Sequence, residues 1–490
     1  MNNLFLSPKS LVSSNAFPSL LFPLPSSKPN PIFPSFQSIS SNLRNSVVNC
    51  RGIEISILNN HSNSLNSSSN GSTGHAKLKN VGVKDVDIAT FGNLCVDIVL
   101  GVPQLPPEPL SEREAYMEDL ASSPPDKQYW EAGGHCNTAI AAARLGLRCR
   151  AIGHVGNEIY GRFLLDVLHD EGVSFVEMID DLDLIRSTTE AYKTLLCWVL
   201  VDPLQRHGFC SRADFSEDPA FGWMNDLSRD VKSAIKQSKI LVVNGYGFDE
   251  LSPGFIISAL RYAVEAGTSV FFDPGPKGKS LSTGTPEEQR AFDELLKMSD
   301  VVLLTADEAE SLTGIGNPIL AGQELLKRGS RTKWVIIKMG SKGSLLVTLS
   351  GTSCAPSYKV DVIDTVGCGD SFVAAAAFGF VHQLPKIQTL AIANAVGAAT
   401  AMGCGAGRNV ATLAKTMELI KAGDLNEDDK FWSELLDKST DVEEFTLLSK
   451  KVVDDIDSRL KHVPLQNLIP DLISKLELTK LFSKLCASEQ

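Results

Sequence analysis

The chain has 490 residues, of which 43% are hydrophobic and 21% charged, and its formal net charge is −12. That apolar fraction excludes a largely disordered protein, and no unbroken apolar run approaches the ~18–20 residues of a membrane-spanning helix. The acidic balance argues against broad contact with nucleic-acid phosphates, which takes clustered Lys and Arg.

In chain order, the first distinctive segment is the N-terminus. Residues 1–53 contain no Asp or Glu, the first acid being Glu54, and Ser is frequent throughout residues 1–50. Pro18, Pro23 and Pro25 interrupt the apolar residues, so no compact secretory core forms. A Ser-rich start poor in acids and Arg has the composition of a transit peptide, and residues 1–50 are read as one that directs the chain to the chloroplast stroma. Residues 51–85, with the Ser/Asn-rich run from His61 to Gly74, read as a flexible linker.

From residue 86 to 423 short β-branched runs alternate with helical ones. Strands are expected at Val86–Phe91, Arg150–Val155, Ile240–Val243, Ser269–Phe272, Val301–Leu304 and Val335–Ile337. Helices are expected at Asn137–Leu145, Arg162–His169, Pro253–Glu265 and Glu287–Met298. Such alternation implies a parallel sheet with helices on both faces, a three-layer α/β/α core. Ligands in such sheets sit at the C-terminal strand ends, which makes Asn93, Asp97, Asn244, Asp273, Thr305 and Glu308 site candidates. Two stretches, 101–130 and 189–215, break the rhythm and read as strands of a small β lid over the open edge.

Residues 424–490 are acidic and have helical periodicity at Phe431, Leu435 and Leu436 and at Leu468, Leu472, Ile473 and Leu476. They read as an appended helical extension and a candidate surface for a protein partner. The cysteines form no CxxC pair and no cluster with zinc spacing, so buried free thiols are expected.

The sharpest local signal is Asp364-Thr365-Val366-Gly367-Cys368-Gly369-Asp370 between a strand-like segment, Tyr358–Ile363, and a small-residue helix, Val373–Val381. Glycines ahead of a helix let backbone N–H groups converge on an anion, and the helix N-terminus adds its positive dipole end. An Asp beside such a nest can take a proton from a substrate hydroxyl, or it can simply cap the helix.

This run resembles the DTxGAGD signature of the ribokinase/PfkB family of carbohydrate kinases, with Cys368 in the Ala position. Gly133-Gly134-His135-Cys136-Asn137, followed by an Ala-rich helix, resembles the family's GGxxxN pattern. Two separated signatures in the right order are more specific than one Gly-rich loop. The resemblance implies ATP- and Mg²⁺-dependent phosphorylation of a sugar or nucleoside hydroxyl. It implies Asp370 as base and the amides of Gly367, Cys368 and Gly369 as anion hole. It implies Asp97, Gly133, Gly134 and Asn137 at the acceptor, Lys338, Gly340, Gly343 and Asn394 at the nucleotide, and Glu308 holding Mg²⁺ through water. Asp364, with carbonyls from Gly403–Gly407, is implied at a K⁺ site, and dimerisation through the lid is a family habit. Thr305 replaces the family's Asn three residues before Glu308. That substitution, Cys368 and the acidic C-terminus leave a second reading open, a kinase-like scaffold or regulator in a chloroplast complex. Cys368 and Cys404 also raise the question of redox sensitivity, against which stands the simpler reading of inert thiols.

Overall fold

The computed structural model describes residues 84–487, except 108, 123–125, 180–192, 205, 217–218, 438–443 and 451–459. The expected transit peptide and nearly all of the linker lie outside the described residues.

The β-branched runs fold into fifteen strands: β1 (Val86–Phe91), β2 (Leu94–Gly101), β3 (Trp130–Gly134), β4 (Cys149–Gly153), β5 (Ser174–Glu177), β6 (Leu195–Val201), β7 (His207–Ser211), β8 (Ser238–Asn244), β9 (Ser269–Asp273), β10 (Val301–Thr305), β11 (Trp334–Lys338), β12 (Ser344–Thr348), β13 (Gly351–Ala355), β14 (Phe445–Ser449) and β15 (Leu460–Pro464). Eleven of them form one sheet in the order β15-β14-β13-β12-β11-β10-β9-β8-β1-β4-β5. All neighbours in it are parallel except β11/β12 and β12/β13. The central strands are buried along their length, as Val301–Leu304 and Val335–Ile337 illustrate, because helices cover both faces. Two apolar clusters result, one centred on Ile140, Ala375 and Leu390, the other on Phe255, Leu295 and Leu325.

Chain order reverses at β1, which has β4 on one side and β8 on the other. This is a topological switch point, where the loops leaving the strand ends diverge and open a crevice. Register then fixes what faces it. Asn244 pairs with Asp273 across β8/β9, and Thr305 with Lys338 across β10/β11. The residues that follow each apolar run are thereby set side by side.

The remaining strands form a four-stranded lid in the order β3-β2-β6-β7. Its boundaries differ from the sequence expectation. Residues 101–130 supply the helix Leu110–Ser122, whose Glu-, Arg- and Ala-rich run lacks period-2 alternation, and the strands lie on either side of it. Tyr358–Ile363 also differs. Only Tyr358 bridges, to Leu425, since Lys359 donates to Asp424 and Ile363 to Ala401 rather than to a neighbouring strand.

The Ala-rich helices Cys368–Val381 and Lys386–Ala401 pack closely, and a Cβ at Gly379 would fall 2.3 Å from Thr389 Oγ1. Beyond residue 423 the chain has the expected helices, Asp429–Asp437 and Leu465–Ala487. It also adds β14 and β15, which extend the main sheet in parallel from β13. Leu472 and Leu476 are fully buried in the same cluster as the helix Lys386–Ala401. The C-terminal residues are thus part of the core rather than loosely attached to it. Leu472→Ala should therefore lower unfolding stability by about 2–5 kcal/mol. Chemical denaturation followed by circular dichroism measures it, and a loss near zero would mark the helix as peripheral.

Candidate active site

Asp370 occupies the first turn of the helix Cys368–Val381. The approach is tight, because Gly367 has φ 75° and a Cβ there would fall 2.7 Å from that of Ala406. Thr138 Oγ1 donates to Asp370 Oδ1 at 3.2 Å. Burial, and then the negative charge of Asp273, push the Asp370 carboxyl up to about 6, although Lys338 and Thr138 pull the other way. Such a carboxylate is ionised at neutral pH and still basic enough to take a proton.

Lys338 reaches inward from the end of β11, with Nζ 2.6 Å from Asp273 Oδ2. Burial disfavours its ammonium, but Asp273, Glu308 and Asp370 outweigh burial and its pKa rises. Glu308 is raised by burial and by Asp273. Its Oε2 accepts from the Thr305 N–H at 2.8 Å, and Thr305 Oγ1 accepts from the Glu308 N–H at 3.2 Å. This reciprocal cap starts the helix Ala306–Thr313 and gives Thr305 a defined role in place of Asn.

Asp97 lies on lid strand β2, opposite Glu131 of β3. Burial is the main cause that raises its carboxyl to about 7, and the charges of Asp370 and Glu131 add to it. Cys95 Sγ donates to it at 3.3 Å. Asn93 Oδ1 is buried and has no hydrogen-bond partner among the described residues.

Two cavities meet at this centre. One, about 380 Å³, lies between lid and sheet ends and is lined by Asn93, Asp97, Asn137, Thr138, Asn244, Asp273, Glu308, Gly367, Gly369 and Asp370, among others. The second, about 430 Å³, is lined by Gly340, Gly343, Cys368, Asn394 and the apolar Val360, Val362, Phe372 and Ala398. Thr305, Lys338, Thr365 and Gly369 line both. The cavities differ in charge. Six carboxylates line the first, Asp97, Asp214, Asp249, Asp273, Glu308 and Asp370. None lines the second, which has Lys338 and Lys359.

Several expected roles change. Gly133 does not line either cavity; its backbone pairs with Cys95, and a Cβ there would fall 2.0 Å from Asp97 Oδ1, so this glycine makes room for Asp97. Gly134 does line the first cavity, at φ 57° and hard against Asn93. Asn137 does line the first cavity, and its Oδ1 accepts from the Gly407 N–H at 2.7 Å, which holds that loop. Asn394 lines the second cavity with its polar atoms engaged. Ser344 Oγ donates to its Oδ1, and its Nδ2 donates to the carbonyls of Ala355 and Pro356. It ties helix to sheet.

Asp364, expected at a K⁺ site, lines neither cavity. Its carboxylate accepts from the N–H groups of Val366 (3.0 Å) and Gly405 (2.6 Å), and His207 Nε2 of the lid lies 2.7 Å from Oδ1. Backbone N–H rather than carbonyl from the Gly403–Gly407 segment faces this carboxylate. By contrast, Glu308 and Asp273 beside the shared boundary suit Mg²⁺, which is commonly held by one or two carboxylates with water and substrate phosphates. Cys368 is pushed up to about 12 by burial and the neighbouring Asp364 and Asp370, so its thiol stays protonated and unreactive.

Sequence reasoning missed Thr138, Asp214, Tyr246, Asp249, His207 and the Glu131–Arg408 pair, whose atoms lie 3.0 Å apart and lock β3 to the Gly407 loop. Thr138 directly follows Asn137, but no motif marks it. The others meet the site only through lid placement and strand register.

The geometry and the comparisons agree. The model of the pfkB family carbohydrate kinases matches residues 94–413, and the chain belongs to that family. The 5-dehydro-2-deoxygluconokinase of Bacillus thuringiensis subsp. konkukian is 27% identical over 323 residues, covering 64% of this chain and 88% of the relative. Fructokinase-1 of Oryza sativa subsp. japonica is 24% identical over 344 residues, covering 68% and 98%. The crystal structure of Arabidopsis thaliana ribokinase complexed with ribose and ATP shares the fold with a TM-score of 0.52 and 22% identity, over 68% of this chain and 98% of that one. The chain is a PfkB-type kinase with a ribokinase-like fold.

Lys338 is the cation that offsets three partly buried carboxylates. Lys338→Met should lower stability by less than the about 3–5 kcal/mol of breaking a fully buried pair, because the pair is only partly buried. Because Lys338 lowers the Asp370 pKa, its loss should also move the acid limb of activity to higher pH. Denaturation curves and pH–rate profiles of the variant read the two effects separately.

Proposed function

We propose that the protein transfers the γ-phosphoryl group of ATP to a sugar-like hydroxyl, with Asp370 as general base. The observation that carries this reading is the placement of Asp370 in the carboxylate-lined cavity at a helix N-terminus, next to Gly369, which lines both cavities. The cavity with Lys338, Lys359 and apolar walls suits a nucleotide, and the carboxylate-lined cavity suits hydroxyl donors.

A hydroxyl held in the first cavity is placed for Asp370 to accept its proton as the oxygen attacks phosphorus. The backbone N–H groups of Gly367, Cys368 and Gly369, at the helix N-terminus, favour the charge on the transferring group. Lys338, shared by both cavities, neutralises the phosphate side. Glu308 and Asp273 would hold Mg²⁺, which would supply further charge neutralisation to the triphosphate. The lid covers the acceptor and limits water, and with it wasteful hydrolysis.

Asp370→Asn should reduce kcat by about 10²–10⁴ while nucleotide binding persists. Calorimetric titration with ATP analogues and a product assay separate the two, and undiminished turnover would overturn the assignment of the base. In the wild type, protonation of Asp370 removes the base. The rate should therefore fall as pH drops through about 6 and level off above it.

The same proposal places the protein in the chloroplast stroma, on the composition of residues 1–50. A fluorescent fusion of those residues should enter plastids, and a fusion of the chain from residue 51 should not.

A further inference from the structure

The acceptor cavity bears a chemical bias that the family relation leaves open. Three of its carboxylates lie apart from the phosphoryl-transfer group: Asp97 on β2, Asp214 beside β7, and Asp249 after β8. The cations that face them are already used. Lys277 Nζ lies 2.6 Å from Asp249 Oδ1, and Lys338, the basic side chain on the wall, is held by Asp273. His135 is buried in the same wall, and burial lowers its pKa to about 4, so it adds no positive charge at neutral pH. Asn93 contributes a buried carbonyl oxygen with no partner among the described residues. The wall therefore offers acceptors in excess and no uncommitted cation among the described residues.

We propose, building on the kinase reading above, that the acceptor is an uncharged polyhydroxy compound, and that sugar acids and sugar phosphates are rejected by charge. Each carboxylate and the Asn93 oxygen takes a hydrogen bond from a hydroxyl, which a neutral sugar supplies in several directions. An anionic group there lacks donors for these acceptors and meets like charge in a desolvated site. The crowding is already evident without a ligand. Burial raises Asp97, and neighbouring carboxylates raise it further. The two relatives differ in this respect, since the gluconate in one name is an acid and the fructose in the other is neutral.

The test is a matched set supplied to the full chain with ATP and Mg²⁺: fructose and ribose as neutral members, gluconate, 2-deoxygluconate and fructose 6-phosphate as anionic ones. Neutral members should be turned over with kcat/KM at least about a hundredfold above the anionic ones, the scale of like-charge exclusion from a site of low dielectric. An anionic member used as well as its neutral counterpart would overturn the inference while leaving the kinase reading intact. Equilibrium binding of the same set by calorimetry covers the case without turnover. Selective binding of neutral members with no phosphorylation sinks the kinase reading alone. Anionic members binding as tightly as neutral ones, or no member binding, sinks the inference.

Asp249→Asn supplies the second arm. It removes one carboxylate and releases Lys277 without changing shape. The ratio of anionic to neutral binding or kcat/KM should rise at least about tenfold. An unchanged ratio in a variant with wild-type circular dichroism would show that charge at this wall does not select the acceptor.

Discussion

The partly buried ammonium of Lys338 is the interaction on which the centre depends. It binds Asp273 directly and lies close enough to Glu308 and Asp370 for all three carboxylates to raise its pKa. Three acids cannot converge in a buried site without such a partner, because each would be driven to its neutral form. With the partner present, Asp370 is raised only to about 6. Lys338 thus connects stability to chemistry, and its position between the two cavities follows from strand register alone.

Around that centre the sheet and the lid have different tasks. The parallel strands deliver polar residues at their C-terminal ends, where chain order reverses and a crevice opens. The lid brings Asp97 and Asp214 from outside and is fastened at several points. His207 meets Asp364, Glu131 meets Arg408, and Asn137 holds the Gly407 loop. Each fastening uses a residue that a reading of motifs alone places at a ligand or overlooks. The C-terminal residues brace the other side. Asn426 donates to the Ser341 carbonyl and Asp428 pairs with Lys342, which secures the loop that bounds the second cavity.

Much of this was legible in the sequence. Val86–Phe91 and Pro253–Glu265 match the expected bounds, and the other core strands differ by a residue or two, because apolar runs flanked by turn residues have few alternatives. That Asp370, Glu308, Asp97 and Lys338 would line one cavity was legible as well, through motif and strand-end position. The lid helix Leu110–Ser122 was not, since a Pro-bounded insertion between strands gives no register cue. Nor were β14 and β15, whose short apolar runs sit inside an acidic, helix-periodic stretch and gain their partner only when β13 is already an edge.

By itself the sequence determined the layered α/β class and marked Asp370 as a site candidate, since periodicity and the spacing of a Gly-rich turn before a helix are local properties. It also determined an acid-free N-terminus, unlike the acidic remainder. Only the tertiary structure decided which polar atoms remain free for ligand. Asn394 has the right chemistry to bind but spends it on Ser344, Ala355 and Pro356, and acceptor oxygens of Asn137 and Asp364 take the N–H groups of Gly407 and Gly405. Those partners lie tens to hundreds of residues away, and the hydrogen-bonding capacity of a side chain is finite. Its availability is therefore a property of the fold, not of the residue.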